Sequence, residues 1–457
     1  MSAGLRVFLF FSLGYLVSYL FRGLNIGFGP TLSAELGLSA ADLGTLTSLY
    51  FLGFALLQIP AGVLLDTWGP RRVNAALLVV AAAVGTLVYG LSQGLPGLMV
   101  GRLLIGAGVS VCLGAAFQAL ALNYPLARLP LINGLVMAVG GLGGVLVGSP
   151  LSWLLNFSTW REVSIGMVVV TLCVAALLWF GAPREPARDR PHASLGEQLR
   201  GTFVLLRTAH YWRLVSLPVA TGGVFYGVQS LWVRPYLTDV NMLLPAAPAA
   251  ALVSLLGFAM MGGNVGLGAM ARRVERMGLG LYGFSGVCLA LFILIQLLIV
   301  LRARRAAGAA VGGLRRVRFG SANILVFALL AGEFPRELLG RVAATTNLLT
   351  FVSIFVCQVT FGWIVELWPR GDAVYEPGSY PAGGYLAAWG AFLALQIAVA
   401  LYYFWPRRRA PPRPGRAGRA PEPAQAEAGA GRGSSGSATP ASSWRIITQA
   451  RSICLSG

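Results

Sequence analysis

Residues 43–65 carry no charged side chain, and neither do residues 73–101. Between these two blocks lie Asp66, Arg71 and Arg72, in the stretch GVLLDTWGPRR that runs from Gly62 to Arg72. Uncharged apolar blocks longer than about 18 residues match the roughly 30 Å hydrocarbon core of a bilayer. Lipid offers the backbone no hydrogen-bond partner, so such a block must be a helix or part of a closed barrel. Barrel strands alternate polar and apolar residues over short runs, and these blocks do not. The chain therefore reads as an all-α polytopic membrane protein.

Apolar windows predict twelve spans, at 7–28, 43–65, 73–93, 97–122, 132–155, 163–181, 213–237, 248–270, 279–301, 308–332, 342–366 and 383–405. They fall six and six, as two pseudo-symmetric halves at 1–181 and 212–405, around a charged linker at 182–211. Pro183, Pro186 and Pro191 break the linker, and Ser194-x-x-Glu197 then reads as a capping box opening a short amphipathic helix to about Thr208. The Ala/Pro/Gly/Arg/Ser-rich tail, 406–457, reads as disordered.

Only 11% of the residues are charged, against about 25% in ordinary domains. The net charge of +19 comes from Arg in loops and tail, so the positive-inside rule explains it and nucleic acid need not be invoked. The Arg-bearing loops place both termini, the linker and Arg71–Arg72 in the cytoplasm of a bacterial inner-membrane protein. The other side carries Glu35, Asp42, Arg161, Glu162, Asp239, Arg370 and Asp372. Two His and five Cys without a CxxC pair indicate no metal site, no cofactor and no disulfide framework.

One segment departs from this pattern. Residues 302–318 hold six Arg among Ala, Gly, Val and Leu, ahead of and within the tenth span. This composition fits either a basic lining of a wet cavity or a local reading-frame shift.

The spacing G-x-x-x-D-x-x-G-x-R-R in Gly62–Arg72 assigns separate tasks. Gly62 permits close helix approach, Asp66 is placed to accept hydrogen bonds from amides opening a facing helix, Gly69 turns the chain, and Arg71 and Arg72 hold the loop in the cytoplasm. The stretch resembles the cytoplasmic loop signature of the major facilitator superfamily, G-x-L-x-D-x-x-G-R-[KR], departing from it at Pro70. GRLLIGAGVS, with Arg102-x-x-x-Gly106-x-Gly108, and the TWRE stretch before span 6 resemble further family features. A weak repeat pairs Gln58-x-x-x-Gly62 with Asn264-x-x-x-Gly268, with Arg272 standing where the first loop has Asp66. The resemblance implies alternating access, a substrate site near the midplane between the halves, and Gly62–Arg72 as a gating loop.

Charge inside the spans is lopsided. Span 1 contains Arg22 and span 4 contains Arg102, with no carboxylate well inside spans 1–6. Ionisable groups within a membrane are functional candidates by default. The natural partner of Arg22 is then a bound anion, held bidentately. Tyr15, Tyr19, Arg22 and Asn25 are placed on one helix face. GYLVSYLFRGLNIGFGPTL resembles span 1 of the organophosphate and sugar-phosphate permeases, in which the Arg matching Arg22 contacts phosphate; organic-anion symporters also keep an Arg there. Span 7 offers Tyr226, Gln229 and Trp232, with Arg234 beyond them, and does not complete a two-arginine phosphate clamp. A carboxylate suits a single Arg better.

Arg102 is a coupling candidate. The expected function is secondary active transport of a small organic anion by a monomer in the lipid bilayer, with a proton or sodium ion as possible coupling partner. Alternatives are a proton-coupled drug or metabolite efflux antiporter, and a transporter-like receptor. No enzyme is expected, because no acid, base or metal cluster falls inside the spans.

Overall fold

The computed structural model describes residues 2–125, 128–183, 195–240, 248–259, 262, 281–302, 330, 333–334, 339–369 and 379–405. The tail 406–457, Ser194 of the linker capping box, most of the arginine-rich stretch 302–318, most of span 10, and the second loop with Asn264, Gly268 and Arg272 lie outside the described residues.

Among the described residues the secondary structure is helical, with no strand. Seven of the described helices are long and apolar enough to cross a membrane, eight if one bent pair is a single span. The first half comprises span 1 (Ala3–Leu36), span 2 (Ala40–Leu56 with Gln58–Trp68), span 3 (Pro70–Leu91), span 4 (Leu95–Asn123), span 5 (Leu129–Leu146 with Ser149–Leu154) and span 6 (Trp160–Gly181). A linker helix, Leu195–Leu206, follows. The second half contains span 7 (Ala209–Asp239), span 8 (Pro248–Ala259), span 9 (Leu281–Arg302), span 11 (Leu339–Leu367) and span 12 (Ala382–Phe404).

Local chemistry sets the ends and breaks. Span 2 bends by 47° at Leu57, where Pro60 has no N–H to donate back to Leu56. Capping boxes open span 2, at Ser39 and Asp42, and span 6, at Thr159 and Glu162. These satisfy amides that a helix start otherwise leaves bare. Two charges expected in loops, Asp42 and Glu162, are thus helix caps. Glu35 accepts from the Trp160 indole at 2.7 Å and pairs with Arg161, whose guanidinium lies over the Trp160 ring.

The chain starts and the described chain finishes at one end of the bundle, which also holds the linker helix. We call it the linker end and its opposite the far end. Span 2 packs along span 11. Gly44 of span 2 has no room for a Cβ, which would fall 2.7 Å from the Gln358 carbonyl of span 11.

At the linker end, the linker helix bridges the halves. Gly62 faces Gln198, Gly201 lies against the Arg341 side chain, and Thr345 contacts Thr202 at 3.4 Å. The close approach expected at Gly62 is therefore to the linker helix.

Span 5 is glycine-rich for two different neighbours. Gly140 and Gly143 seat the Tyr15 and Tyr19 side chains of span 1, whose atoms would lie 2.3 and 2.7 Å from an added Cβ. On another face, Gly148 meets Ser254 of span 8, and Gly257 of span 8 meets the Gly144–Val145 backbone.

Candidate functional site

Arg22 projects from span 1 between the two halves. Its guanidinium carbon lies 4.5 Å from the Tyr19 ring centroid, 5.8 Å from Tyr226, and 6.0 Å from Phe51 and Phe351. Spans 1, 2, 7 and 11 thus each supply an aromatic ring. Ring faces stabilise a cation by about 0.5–2 kcal/mol. Among the described residues Arg22 makes no ion pair, and its buried Nε has no hydrogen-bond partner. The cation is held by ring faces, with donors left to give.

A cavity of about 40 Å³ borders it, between spans 1, 5, 7 and 8. That is room for two or three waters, so the site is contracted here. Its polar lining is Tyr19, Arg22, Tyr226, Gln229 and Ser230. Apart from Arg22 the polar lining is uncharged.

Span 7 widens into a π turn at Val228–Trp232, a feature frequent at functional sites. Gln229 and Ser230 belong to it. Gln358 of span 11 donates its amide to the Gly227 carbonyl at 3.0 Å and to Ser230 Oγ at 2.7 Å, holding the turn. Gln358 was missed in the sequence. Its signal was a buried amide within the apolar stretch FVCQVTFG, a costly placement unless it is bonded.

Not all residues expected at this site reach it. Tyr15 stands edge-on to Tyr19, with ring centroids 5.1 Å apart, and seats against Gly140 rather than in the cavity. Asn25 turns into the first half, donating to Thr47 at 2.8 Å and accepting from the Tyr89 hydroxyl at 3.0 Å. Asn25 lies about 60° round the helix from Arg22, so the shared face expected for the four residues has drifted. Trp232 is fully buried in the second half, stacked on Phe361 at 5.1 Å.

Arg102 lies inside the first half, 1% exposed, away from the cavity lining. Its Nη1 donates to the Phe21 carbonyl at 2.8 Å, and its guanidinium sits between the Tyr50 and Tyr89 rings. It therefore braces span 1 one residue before Arg22.

A family model, the Major Facilitator Superfamily, matches residues 11–358. The chain belongs to the Major Facilitator Superfamily. It is a multi-pass membrane protein of the family's twelve-helix fold, whose members move small molecules across membranes. It is 28% identical over 213 residues to a hexuronate transporter of Bacillus subtilis, covering 44% of this chain and 49% of that relative. It is 27% identical over 174 residues to a quinolone resistance transporter of Acinetobacter baumannii, covering 36% of this chain and 40% of that relative. The matches span between 24% and 53% of the length of the curated relatives. A solved bacterial homologue of the human lysosomal transporter Spinster, inward-facing and occupied, shares the fold with a TM-score of 0.68 and 18% identity, over 87% of this chain and 95% of that one.

In this Major Facilitator Superfamily member the loop Gly62–Arg72 is built as follows. Gly69 has φ 79°, the left-handed region that favours glycine. Pro70 then opens span 3 at a position needing no N–H. Asp66 is exposed and accepts from the Gln118 amide of span 4 at 3.0 Å. The two arginines differ. Arg72 is exposed, whereas Arg71 is buried and donates to the Trp179 carbonyl of span 6 at 2.6 Å. Arg71 therefore ties the loop to span 6, a role its neighbour does not share. A run of two arginines could not reveal that division.

Proposed function

We propose that this chain carries a small, singly charged organic anion, with Arg22 as the counter-charge. The observation that carries this reading is the Arg22 guanidinium, set between the halves beside Tyr19, Tyr226 and a cavity whose other polar lining is uncharged. A guanidinium forks onto a carboxylate through two parallel hydrogen bonds. One cation with neutral Gln229 and Ser230 balances one negative charge better than two. The hexuronate transporter, an anion carrier by name, favours the same reading.

Alternating access supplies the movement, with Gly62–Arg72 gating the linker end and Arg102 as the coupling candidate. The linker end is assigned to the cytoplasm of the bacterial inner membrane by the positive-inside rule. A proton or sodium ion serves as the coupling partner in this scheme. The protein acts as a monomer.

A second reading, export of amphipathic drugs, draws on the aromatic walls around Arg22 and on the quinolone resistance relative. Proteoliposomes offered radiolabelled uronates and simple carboxylates in the external medium separate the readings. Arg22-dependent uptake supports anion transport. Uptake unchanged in Arg22→Ala removes the anion reading, and saturable binding without flux would indicate a receptor.

A further inference from the structure

Span 5 is broken between Leu146 and Ser149, and the break is filled from the other half of the molecule. In an uninterrupted helix the Ser149 N–H would donate to the Val145 carbonyl. Here it donates to Ser254 Oγ of span 8 at 2.9 Å, and the Ser254 hydroxyl donates to the Val145 carbonyl at 2.9 Å. A hydroxyl from the second half is therefore inserted into the backbone ladder of the first. Pro150 and Gly148 make the insertion possible. Pro150 has no N–H with which to extend the ladder. Gly148 leaves space that a Cβ would fill, 2.3 Å from Ser254 Oγ and 2.8 Å from the Ala250 carbonyl.

The insertion depends on the halves being together at the far end. It adjoins the cavity beside Arg22, because Val147 of the break, Gly144 just before it, and Val253 and Gly257 of span 8 line that cavity. Separating the halves there withdraws Ser254 and leaves the Ser149 N–H and Val145 carbonyl to bond each other directly. Span 5 then has two discrete ladders, one bridged by Ser254 and one closed on itself.

We propose that Ser254 biases the conformational balance of this carrier, its hydroxyl bridging the break in span 5 and so favouring the far-end-closed state. This reading is independent of which substrate is carried. The Val145 carbonyl keeps the Gly148 N–H at 3.2 Å, so the partly buried Ser149 N–H is the group left without a partner, and it is penalised in the closed state alone. Removing the hydroxyl therefore shifts the ratio of open to closed by about tenfold toward open.

The test uses the full chain with its five cysteines replaced. Spin labels go on the exposed far-end positions Phe157→Cys and Leu367→Cys, and distances are read by double electron–electron resonance in nanodiscs without substrate. Ser254→Ala is expected to raise the ratio of long- to short-distance populations about tenfold relative to the parent, while Ser254→Thr, which keeps a hydroxyl, follows the parent. Distributions for Ser254→Ala that match the parent overturn the proposal. So does an equal shift in both variants, which would mark a packing effect. If Ser254→Ala does not fold, the near-isosteric pair Ser254→Val and Ser254→Thr decides in the same measurement. Ser254→Val must raise the ratio of long- to short-distance populations about tenfold over Ser254→Thr, and equal ratios overturn the proposal.

Discussion

The Glu366 carboxylate of span 11 accepts the backbone N–H of Ala40, the first residue of span 2, at 3.0 Å. An acidic group of the second half thus caps a helix start of the first, where bare amides and the helix dipole favour an anion. This contact lies at the far end, where Arg234 also reaches from span 7 to the Ile26 carbonyl of span 1 at 3.3 Å. Both are lost when that end opens. A helix cap is worth about 1 kcal/mol, so Glu366→Ala is expected to shift the balance toward far-end-open about fivefold. Labelling of a far-end cysteine by an impermeant maleimide measures it. Unchanged labelling would make the contact incidental.

Arg22→Ala is expected to abolish anion binding while leaving the protein in the membrane. Truncating one partner of a buried charge pair costs about 2–5 kcal/mol, or at least about thirtyfold in affinity. Arg22→Lys keeps the charge but not the planar fork, and falls between. Calorimetric titration with a carboxylate that the intact protein binds reads all three proteins. Equal affinities would refute the assignment.

Arg71→Ala and Arg72→Ala should differ although the residues are adjacent. Arg71 is buried with a bond to Trp179, and Arg72 is exposed. Losing the first costs about 2 kcal/mol of stability, while the second changes it by no more than about 0.5 kcal/mol. Thermal unfolding of the purified variants compares them, and equal midpoints would contradict the division.

The glycine seats of span 5 offer a test of packing by compensation. Gly140→Ala would place its methyl 2.3 Å from a Tyr15 ring atom. Overpacking of this kind costs about 1–3 kcal/mol. Tyr15→Ala should destabilise by itself but relieve the clash, making the double variant better than the sum of the two singles. Additive losses would show that the ring is not what Gly140 accommodates.

These cases show what the sequence could convey. The apolar blocks located the described spans because each is selected for length and apolarity, properties carried by the local sequence. The bend at Leu57 and the turn at Gly69 were also local, written in Pro60 and in the glycine itself. Arg22 stood out because a cation within an apolar span is expensive. Its setting did so only in part, because span 7 offered Tyr226 while the Phe51 and Phe351 rings join it only through packing of the spans. Asn25 was placed with Arg22 by a face count, yet the three-residue step between them leaves it about 60° round the helix. Ser254 gave no signal, since one hydroxyl in an apolar helix resembles many others until the broken backbone opposite is seen.

The π turn in span 7 has a consequence for phase. Tyr226 and Arg234 are eight positions apart, which in a plain α-helix would separate them by about 80° around the axis. The turn absorbs about one residue, bringing them within about 20° of one another. That correction aims Arg234 at Ile26 of span 1, one turn beyond Arg22. Straightening the turn with every residue kept would leave the composition of span 7 unaltered, yet it would rotate everything beyond the turn by about 100°. The arginine would then swing away from span 1, and the two halves would lose their register at the far end.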